Sequence, residues 1–341
     1  MHHLSHADQL ILAVANFWLY LRHPLFAGRF LLKQGRLGNF ACPAHLSELV
    51  QWRKLFDRNP LFPILADKLA VRGWLAEHCP ELTAPELLWV GDRPEDIPGE
   101  LIAPGVVIKT NSGSTENLFP DREPMDRASL NSRLRGWIGT PLRTAWRRIS
   151  KAKLEWAYWP IKTRLFVERQ VPTPFVDIGV RCSNGTAFAV SVATDFKTPR
   201  SRLGYFYPDG ERLREEDTGT HNGLLPDDFA APAELPDAIR LARKISHGFD
   251  YMRVDFLAAA GRLYLSELTL YPASGYGSEN WRTELAYRYW LTNLELSWVL
   301  RTQQSWPVAL YLRAFRRWVA GRIEELGPPE AFLERQRAVR D

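Results

Sequence analysis

The chain has 341 residues, 45% hydrophobic and 24% charged, which excludes a disordered polymer and provides for two or three subdomains with substantial cores. Its net charge of +5 is modest. The three cysteines, Cys42, Cys79 and Cys182, lie far apart, and their odd count and spacing fit neither a metal site nor a disulfide framework but a reducing compartment.

The first sixty or so residues read as helical, punctuated by His23-Pro24, residues 35–38 and Asn59-Pro60. His2, His3 and His6 read as a frayed end. Residues 10–21 are apolar but broken by Asn16 and followed by Arg22-His23-Pro24. That run is too short for a membrane span and lacks a cleavage site, so it reads as an amphipathic or buried helix. Cytoplasmic residence, with peripheral attachment at the inner face of a membrane as a further option, is the expected location. A helix is expected over residues 66–79, with Asp67 near its start and Pro80 closing it.

Residues 87–90 and 104–110 are strand candidates, the second breaking into Asn111-Ser112-Gly113-Ser114-Thr115. A lysine that ends a strand before a small polar loop can hold a phosphate between its ammonium and backbone N–H groups. Lys109 precedes the glycine, so this is not a P-loop. From Arg133 to Arg164 the chain is strongly basic, with Trp137, Trp146, Trp156 and Trp159 interleaved and Glu155 almost the only acid. Such a stretch suits an anionic membrane surface, a polyanionic substrate or nucleic acid. The absence of a zinc-finger or RNA-binding signature argues against nucleic acid.

Residues 163–168 form a strand ending in Glu168, and Pro172 and Pro174 mark a passage between two lobes. The second lobe opens β-rich, turning at Ser183-Asn184-Gly185, and residues 203–228 read as a polar loop. A helix is expected over residues 235–247, with Ile239, Ala242 and Ile245 facing inward.

The most informative segment follows. Tyr251-Met252-Arg253-Val254-Asp255-Phe256 and Leu263-Tyr264-Leu265-Ser266-Glu267-Leu268-Thr269-Leu270 are two β-forming arms joined at Ala260-Gly261. A hairpin centred near Gly261 sets Asp255 roughly opposite Glu267, with cross-strand Cβ atoms about 5 Å apart. Like charges at that range repel unless a cation lies between them, and two hard oxygen ligands suit Mg²⁺. Alternation adds Arg253 and Thr269 to the same face and gives Val254, Phe256, Leu268 and Leu270 the apolar one. Acidic residues on a hairpin can also be a merely solvated face. Beyond Trp281 the chain reads as helical, best over residues 279–290 and 307–326.

Lys68, Lys109, Glu168, Asp255 and Glu267, taken in that order, resemble the ATP-grasp superfamily, and the Phe-Asp-Tyr-x-Arg-Val-Asp and Glu-Leu-Thr-x-Tyr-Pro-x-Ser-Gly segments resemble its TupA-like family, named for cell-wall polymer synthesis. The resemblance implies an α+β fold in which two lobes clasp a nucleotide. Residues 63–171 would be the smaller lobe and 172–290 the larger, with helical segments at 1–62 and 291–341. It implies that Lys68 and Lys109 neutralise the α- and β-phosphates and that Asn111, Ser112, Gly113 and Ser114 close over them. It places adenine on Glu168, Arg169, Gln170 and Val171, and the ribose near Asp177. Asp255, Glu267 and Thr269 would hold Mg²⁺, and Arg253 would stabilise the transferring phosphoryl group. Gly179 stands where relatives carry a lysine, whose charge Arg181 or Lys197 would supply. Tyr271, Ser274, Gly275 and Tyr276 would face the acceptor substrate.

The implied activity is an ATP-dependent carboxylate–amine ligase working through an acyl phosphate. Its partners would be ATP, a carboxylate-bearing glycan or peptide precursor and an amine. A kinase acting on a hydroxyl, or a nucleotide-binding module without turnover, is the alternative on the same fold.

Overall fold

A computed structural model of the chain describes residues 4–113, 116–138, 154–195, 198–213 and 223–340. Five helices open it: α1 (His6–Arg22), α2 (Pro24–Gln34), α3 (Leu46–Phe56), α4 (Phe62–Ala66) and α5 (Ala70–His78). The helix expected over residues 66–79 is thus two. The Asp67 carboxylate accepts the N–H groups of Leu69 (2.8 Å) and Ala70 (3.3 Å), which starts α5 afresh. Lys68 therefore sits in a turn, not on a helix.

The first sheet is antiparallel, in the order β1 (Leu87–Gly91), β4 (Leu165–Arg169), β2 (Val106–Thr110), β3 (Asn117–Leu118). Period-two alternation sorts its side chains. Val106, Ile108, Leu165 and Val167 pack with Leu130 and Leu134 of α6 (Arg127–Ile138), while Lys109, Phe166 and Glu168 line the other face.

The second sheet contains β5 (Val176–Ser183), β6 (Thr186–Thr194), β7 (Arg202–Phe206), β8 (Arg212–Leu213), β9 (Gly223–Leu224), β10 (Met252–Ala259) and β11 (Arg262–Thr269). Its order is β11-β10-β5-β6-β7-β8, with β9 parallel to β7. The expected polar loop over residues 203–228 is corrected here. Tyr205 and Phe206 are buried, and the pairing of β7 with β6 runs from Arg202 to Phe206. Gly204 and the polar flanks hide that strand in the sequence. One sheet face packs Val180, Val190, Val254 and Leu268 into the core, as α7 (Leu235–Ser246) does with Ala238, Ile239, Ala242 and Ile245.

After the hairpin come α8 (Trp281–Thr292), α9 (Trp298–Arg301), α10 (Val308–Leu326) and α11 (Pro329–Arg340). They share one core with the opening helices and the second sheet, and Trp52 of α3 stacks on Phe315 of α10 at 4.9 Å between centroids. Trp18, Trp159, Trp298 and Trp306 remain exposed.

Beneath the hairpin lies a buried ionic cluster. Arg53 donates to Asp250 Oδ1 (2.5 Å), to the carbonyls of Leu270 (2.8 Å) and Tyr251 (3.1 Å), and lies 3.9 Å over the Trp290 ring. Trp290 Nε1 donates to the second Asp250 oxygen at 2.8 Å. These bonds tie α3 to both ends of the turn into and out of the hairpin. Asp57 is also buried, and that burial, followed by the charge of Asp250, pushes its pKa up to about 7.

Candidate functional site

The hairpin forms with Asp255 paired to Glu267, Val254 to Leu268 and Arg253 to Thr269. Ala260 and Gly261 make the turn at φ 50° and 73°, the left-handed pair that a tight two-residue hairpin turn needs. The register slips by one residue after Asp255, so Phe256 faces Leu265. This bulge sits at the carboxylate pair and re-aims the strand there.

Arg253 neutralises the two acids. Its Nε donates to Asp255 Oδ1 at 2.6 Å and one terminal nitrogen to Oδ2 at 2.9 Å, a bidentate clasp, and that same nitrogen lies 4.0 Å from Glu267. Thr269 Oγ1 bridges the pair, donating to Asp255 Oδ2 at 2.7 Å and lying 3.2 Å from Glu267 Oε1. Burial opposes the charge on Arg253, but Asp255 and then Glu267 outweigh it and hold the guanidinium above its ordinary pKa. Tyr158 faces the same place: burial raises its pKa first, and Glu267 raises it further.

Lys68 connects the first sheet's loop to this hairpin. Its Nζ donates to the Gly113 carbonyl at 2.7 Å and lies 3.8 Å from Glu267 Oε2. Lys109 instead donates to Glu168 Oε1, and Arg72 to Glu168 Oε2, both at 2.5 Å. A buried carboxylate thus holds two cations, and burial lowers the pKa of Arg72. Lys68, Arg72, Lys109, Phe166, Glu168 and Leu257 line a cleft of about 20 Å³. Arg72, four residues after Lys68, reaches the Glu168 carboxylate from α5.

The Asn111 side chain is engaged within the protein. Its side chain donates to Asp67 (2.9 Å) and the Lys162 carbonyl (3.1 Å) and accepts from the Arg164 N–H (2.8 Å), which pins the loop to its surroundings. Ser112 bonds Thr163 at 2.9 Å. Ser114 and Lys197, and with them Trp146 and the basic residues at 139–153, lie outside the described residues. Within the described part of the basic stretch, Arg133 pairs with Glu123, Arg135 with Glu95, and Lys162 and Arg164 with Asp92. These four described cations thus share three acids.

Arg169 is exposed and pairs with Glu86 at 2.6 Å, the Gln170 N–H bonds the Gly105 carbonyl at 2.9 Å, and Val171 is buried. Asp177 pairs with Leu257 across β5 and β10, on the face that also carries Asp255 and Arg181. Gly179 stands directly opposite Asp255, and a Cβ there would lie 2.7 Å from Ser191 Oγ and 2.9 Å from Asp255 Oδ1. A lysine at that position would displace the carboxylate. Arg181 stands opposite Arg253, lies 5.9 Å over Tyr205, and keeps one terminal nitrogen buried without a hydrogen-bond partner among the described residues.

Ser274 and Gly275 are held against α3. Lys54 donates to the Ser274 carbonyl (2.8 Å) and hydroxyl (3.1 Å), Gln51 donates to the carbonyls of Ser274 (3.2 Å) and Gly275 (3.1 Å), and Ser274 donates to Glu155 (2.5 Å). Tyr276 lies under Arg29 and Lys54, each 5.3 Å from the ring centroid. Tyr271 is buried beside Tyr158, with centroids 6.5 Å apart. Lys54 and Glu155, which organise this corner, went unmarked in the sequence because no short-range pattern joins them.

The residues fit a magnesium nucleotide by donor chemistry. Two carboxylates and a hydroxyl converge, with Lys68 and Arg253 alongside for anionic oxygens. Among the described residues no group of three or more His, Cys, Asp or Glu side chains forms a metal cluster, so a hard ion here would draw further ligands from substrate oxygens and water.

The sequence matches the family model described as TupA-like ATPgrasp over residues 48–286. No curated protein sequence matches it. Among solved structures, it is similar to an L-amino acid ligase from Bacillus licheniformis at 14% identity, covering 76% of this chain and 56% of that one, with a TM-score of 0.40. The D-alanine–D-alanine ligase from Bacillus anthracis in complex with ATP gives 15%, 74%, 68% and 0.36, and the ATP-grasp ligase PsnB with a minimal precursor gives 12%, 73%, 69% and 0.36. With the family model spanning both sheets and the carboxylate hairpin, the chain belongs to the TupA-like ATP-grasp family and has that family's α+β fold.

Proposed function

We propose that the protein is an ATP-dependent carboxylate–amine ligase acting on a carboxylate-bearing glycan or peptide precursor of a cell-surface polymer. The observation that carries this reading is the convergence of Asp255, Glu267, Thr269, Arg253 and Lys68 at one place between the two sheets. Residues 63–171 and 172–290 act as the two lobes around it.

Asp255, Glu267 and Thr269 would hold Mg²⁺, which when bound supplies charge neutralisation for the phosphate oxygens. Lys68 and Lys109 bind the phosphates, and Lys109 becomes available as Glu168 releases it. Arg253, freed from its bidentate clasp, and Arg181, with its unpartnered nitrogen, present positive charge to the γ-phosphoryl group and the substrate carboxylate. A carboxylate oxygen attacks the γ-phosphorus and ADP leaves, giving an acyl phosphate. The amine then attacks the acyl carbon, phosphate leaves, and the amine proton is lost as the amide forms. The positioned cations do this work, so no side-chain nucleophile is required. Closure of the cleft keeps water from the acyl phosphate.

Product analysis tests the reading. Incubation with ATP, Mg²⁺, uronic acid or acidic peptide precursors and an amine panel is expected to give ADP, free phosphate and an amide in equal amounts. A phosphate ester without free phosphate would replace the ligase by a kinase. ADP binding with no turnover across the panel would leave only the nucleotide-binding module.

A further inference from the structure

Helix α1 presents its apolar face to solvent. From Leu10 to Leu21 every fully exposed position is apolar: Leu10, Ala13, Val14, Phe17, Trp18 and Leu21, a single stripe at helical spacing. Leu10 and Phe17 are each 65% exposed and Trp18 58%. The opposite face is already taken, with Leu12 and Leu19 in the core and Asp8 paired with Arg317. After a bend of 100°, α2 adds two more exposed leucines, Leu25 at 77% and Leu32 at 87%. Single exposed leucines are ordinary, but a continuous run of large apolar side chains marks a surface that meets something apolar.

Charge identifies the partner. Between Asp8 and Glu48 the sequence has no acid but has Arg22, Arg29, Lys33 and Arg36. Both flanking acids are buried in ion pairs, Asp8 with Arg317 and Glu48 with Arg36. Arg22 and Lys33 are exposed beside the stripe. The carboxylates lining the neighbouring cleft between α1 and α10 are Glu324 and Glu325, and Glu325 is paired with Arg322. An apolar ridge with an aromatic pair and a basic, acid-free flank matches the boundary between acyl chains and anionic headgroups. A second copy of the chain, docked by two-fold symmetry, would set this basic flank against itself. No single helix among the described residues is long and apolar enough to cross a membrane, and the buried Leu12, Leu19, Phe26 and Phe30 tie α1 and α2 to the core.

We propose that α1 and α2 lie in the plane of an anionic membrane, with Phe17, Trp18, Leu21, Leu25 and Leu32 in the acyl boundary and Arg22 and Lys33 at the headgroups. This surface is separate from the carboxylate hairpin and does not rest on the ligase reading. Flotation of the full chain with phosphatidylcholine vesicles and with mixed phosphatidylcholine–phosphatidylglycerol vesicles tests it. The protein is expected to float with the mixed vesicles, to be released by salt, and to bind the neutral ones far less. Phe17→Ser with Trp18→Ser should cut binding at least about tenfold without shifting the melting temperature, since both side chains are exposed. Arg22→Gln and Lys33→Gln should each weaken it about fivefold. Absence of flotation, or flotation unchanged by the Phe17 and Trp18 substitutions, would overturn the proposal. A dimer dissolved by those substitutions, without flotation, would assign the face to a second copy.

Discussion

Asp255→Asn and Glu267→Gln are each expected to lower Mg²⁺-dependent ATP turnover by at least about 10²–10³-fold, the order seen when one fixed charge-stabilising group is removed from a phosphoryl- or acyl-transfer site. Both variants should stay folded. Asn at position 255 keeps one oxygen, which still accepts from Arg253 Nε in place of Asp255 Oδ1 (2.6 Å), and its amide N–H donates to the Thr269 hydroxyl where Asp255 Oδ2 accepted at 2.7 Å. Glu267 is over a third exposed, so its charge contributes little to stability. Turnover by either variant at the wild-type rate, with an unchanged melting curve, would remove the hairpin from the chemistry. The comparison also separates the roles of Arg253. In this structure the guanidinium is the cation between the paired carboxylates, so losing one of them leaves it with a single anionic partner.

The largest effect on stability is expected at Arg53. Arg53→Met should destabilise the protein by about 3–5 kcal/mol, the typical cost of leaving one member of a buried ion pair uncompensated. Asp250 would lose its 2.5 Å partner while keeping Trp290 Nε1, and the carbonyls of Leu270 and Tyr251 would lose a donor. Chemical denaturation measures this, and the double variant Arg53→Met with Asp250→Asn should recover part of the loss. The variant's pH profile carries a further sign. Asp57 has a raised pKa, from 3.8 to about 7, because of burial and then Asp250, and Arg53 opposes that rise. A carboxyl with a raised folded-state pKa contributes stability fully below its unfolded value, and this is lost as pH climbs through the folded value. Stability should therefore fall between about pH 4 and about pH 7, more steeply once Arg53 is gone. A loss under 1 kcal/mol, or stability rising over that interval, would contradict the assigned cluster.

Much of the hairpin is legible in the sequence. Alternation separates Arg253, Asp255, Glu267 and Thr269 from Val254, Phe256, Leu268 and Leu270, whereas the Ala260-Gly261 turn alone would set Asp255 opposite Ser266, and it is the one-residue bulge that pairs it with Glu267. The bulge after Asp255 leaves its mark in the second arm, where the buried Leu265 and Leu268 stand three residues apart with Ser266 as the extra residue, a break in the period of two. Lys68 falls off the expected helix because Asp67, read as sitting near a helix start, caps a new one instead. The Glu168 clamp joins Arg72, Lys109 and Glu168 from three separate elements, a contact set only by the packing of α5 against the first sheet. Asn111 reads as a loop residue near phosphate, yet its amide is consumed by Asp67, Lys162 and Arg164, partners that the fold brings together over long separations. For α1, periodicity identifies a stripe but not which side of the helix meets water. That side is decided by which residues reach the core, and here Leu12 and Leu19 do.

The metal dependence of nucleotide binding tests the hairpin most directly. In calorimetric titrations with ADP, the wild-type protein is expected to bind at least about tenfold more tightly with Mg²⁺ than with chelator, and Asp255→Asn or Glu267→Gln should abolish that difference while leaving metal-free binding by Lys68 and Lys109 in place. Equal affinity with and without Mg²⁺ in the wild-type protein, or a metal effect that survives both substitutions, would contradict the account.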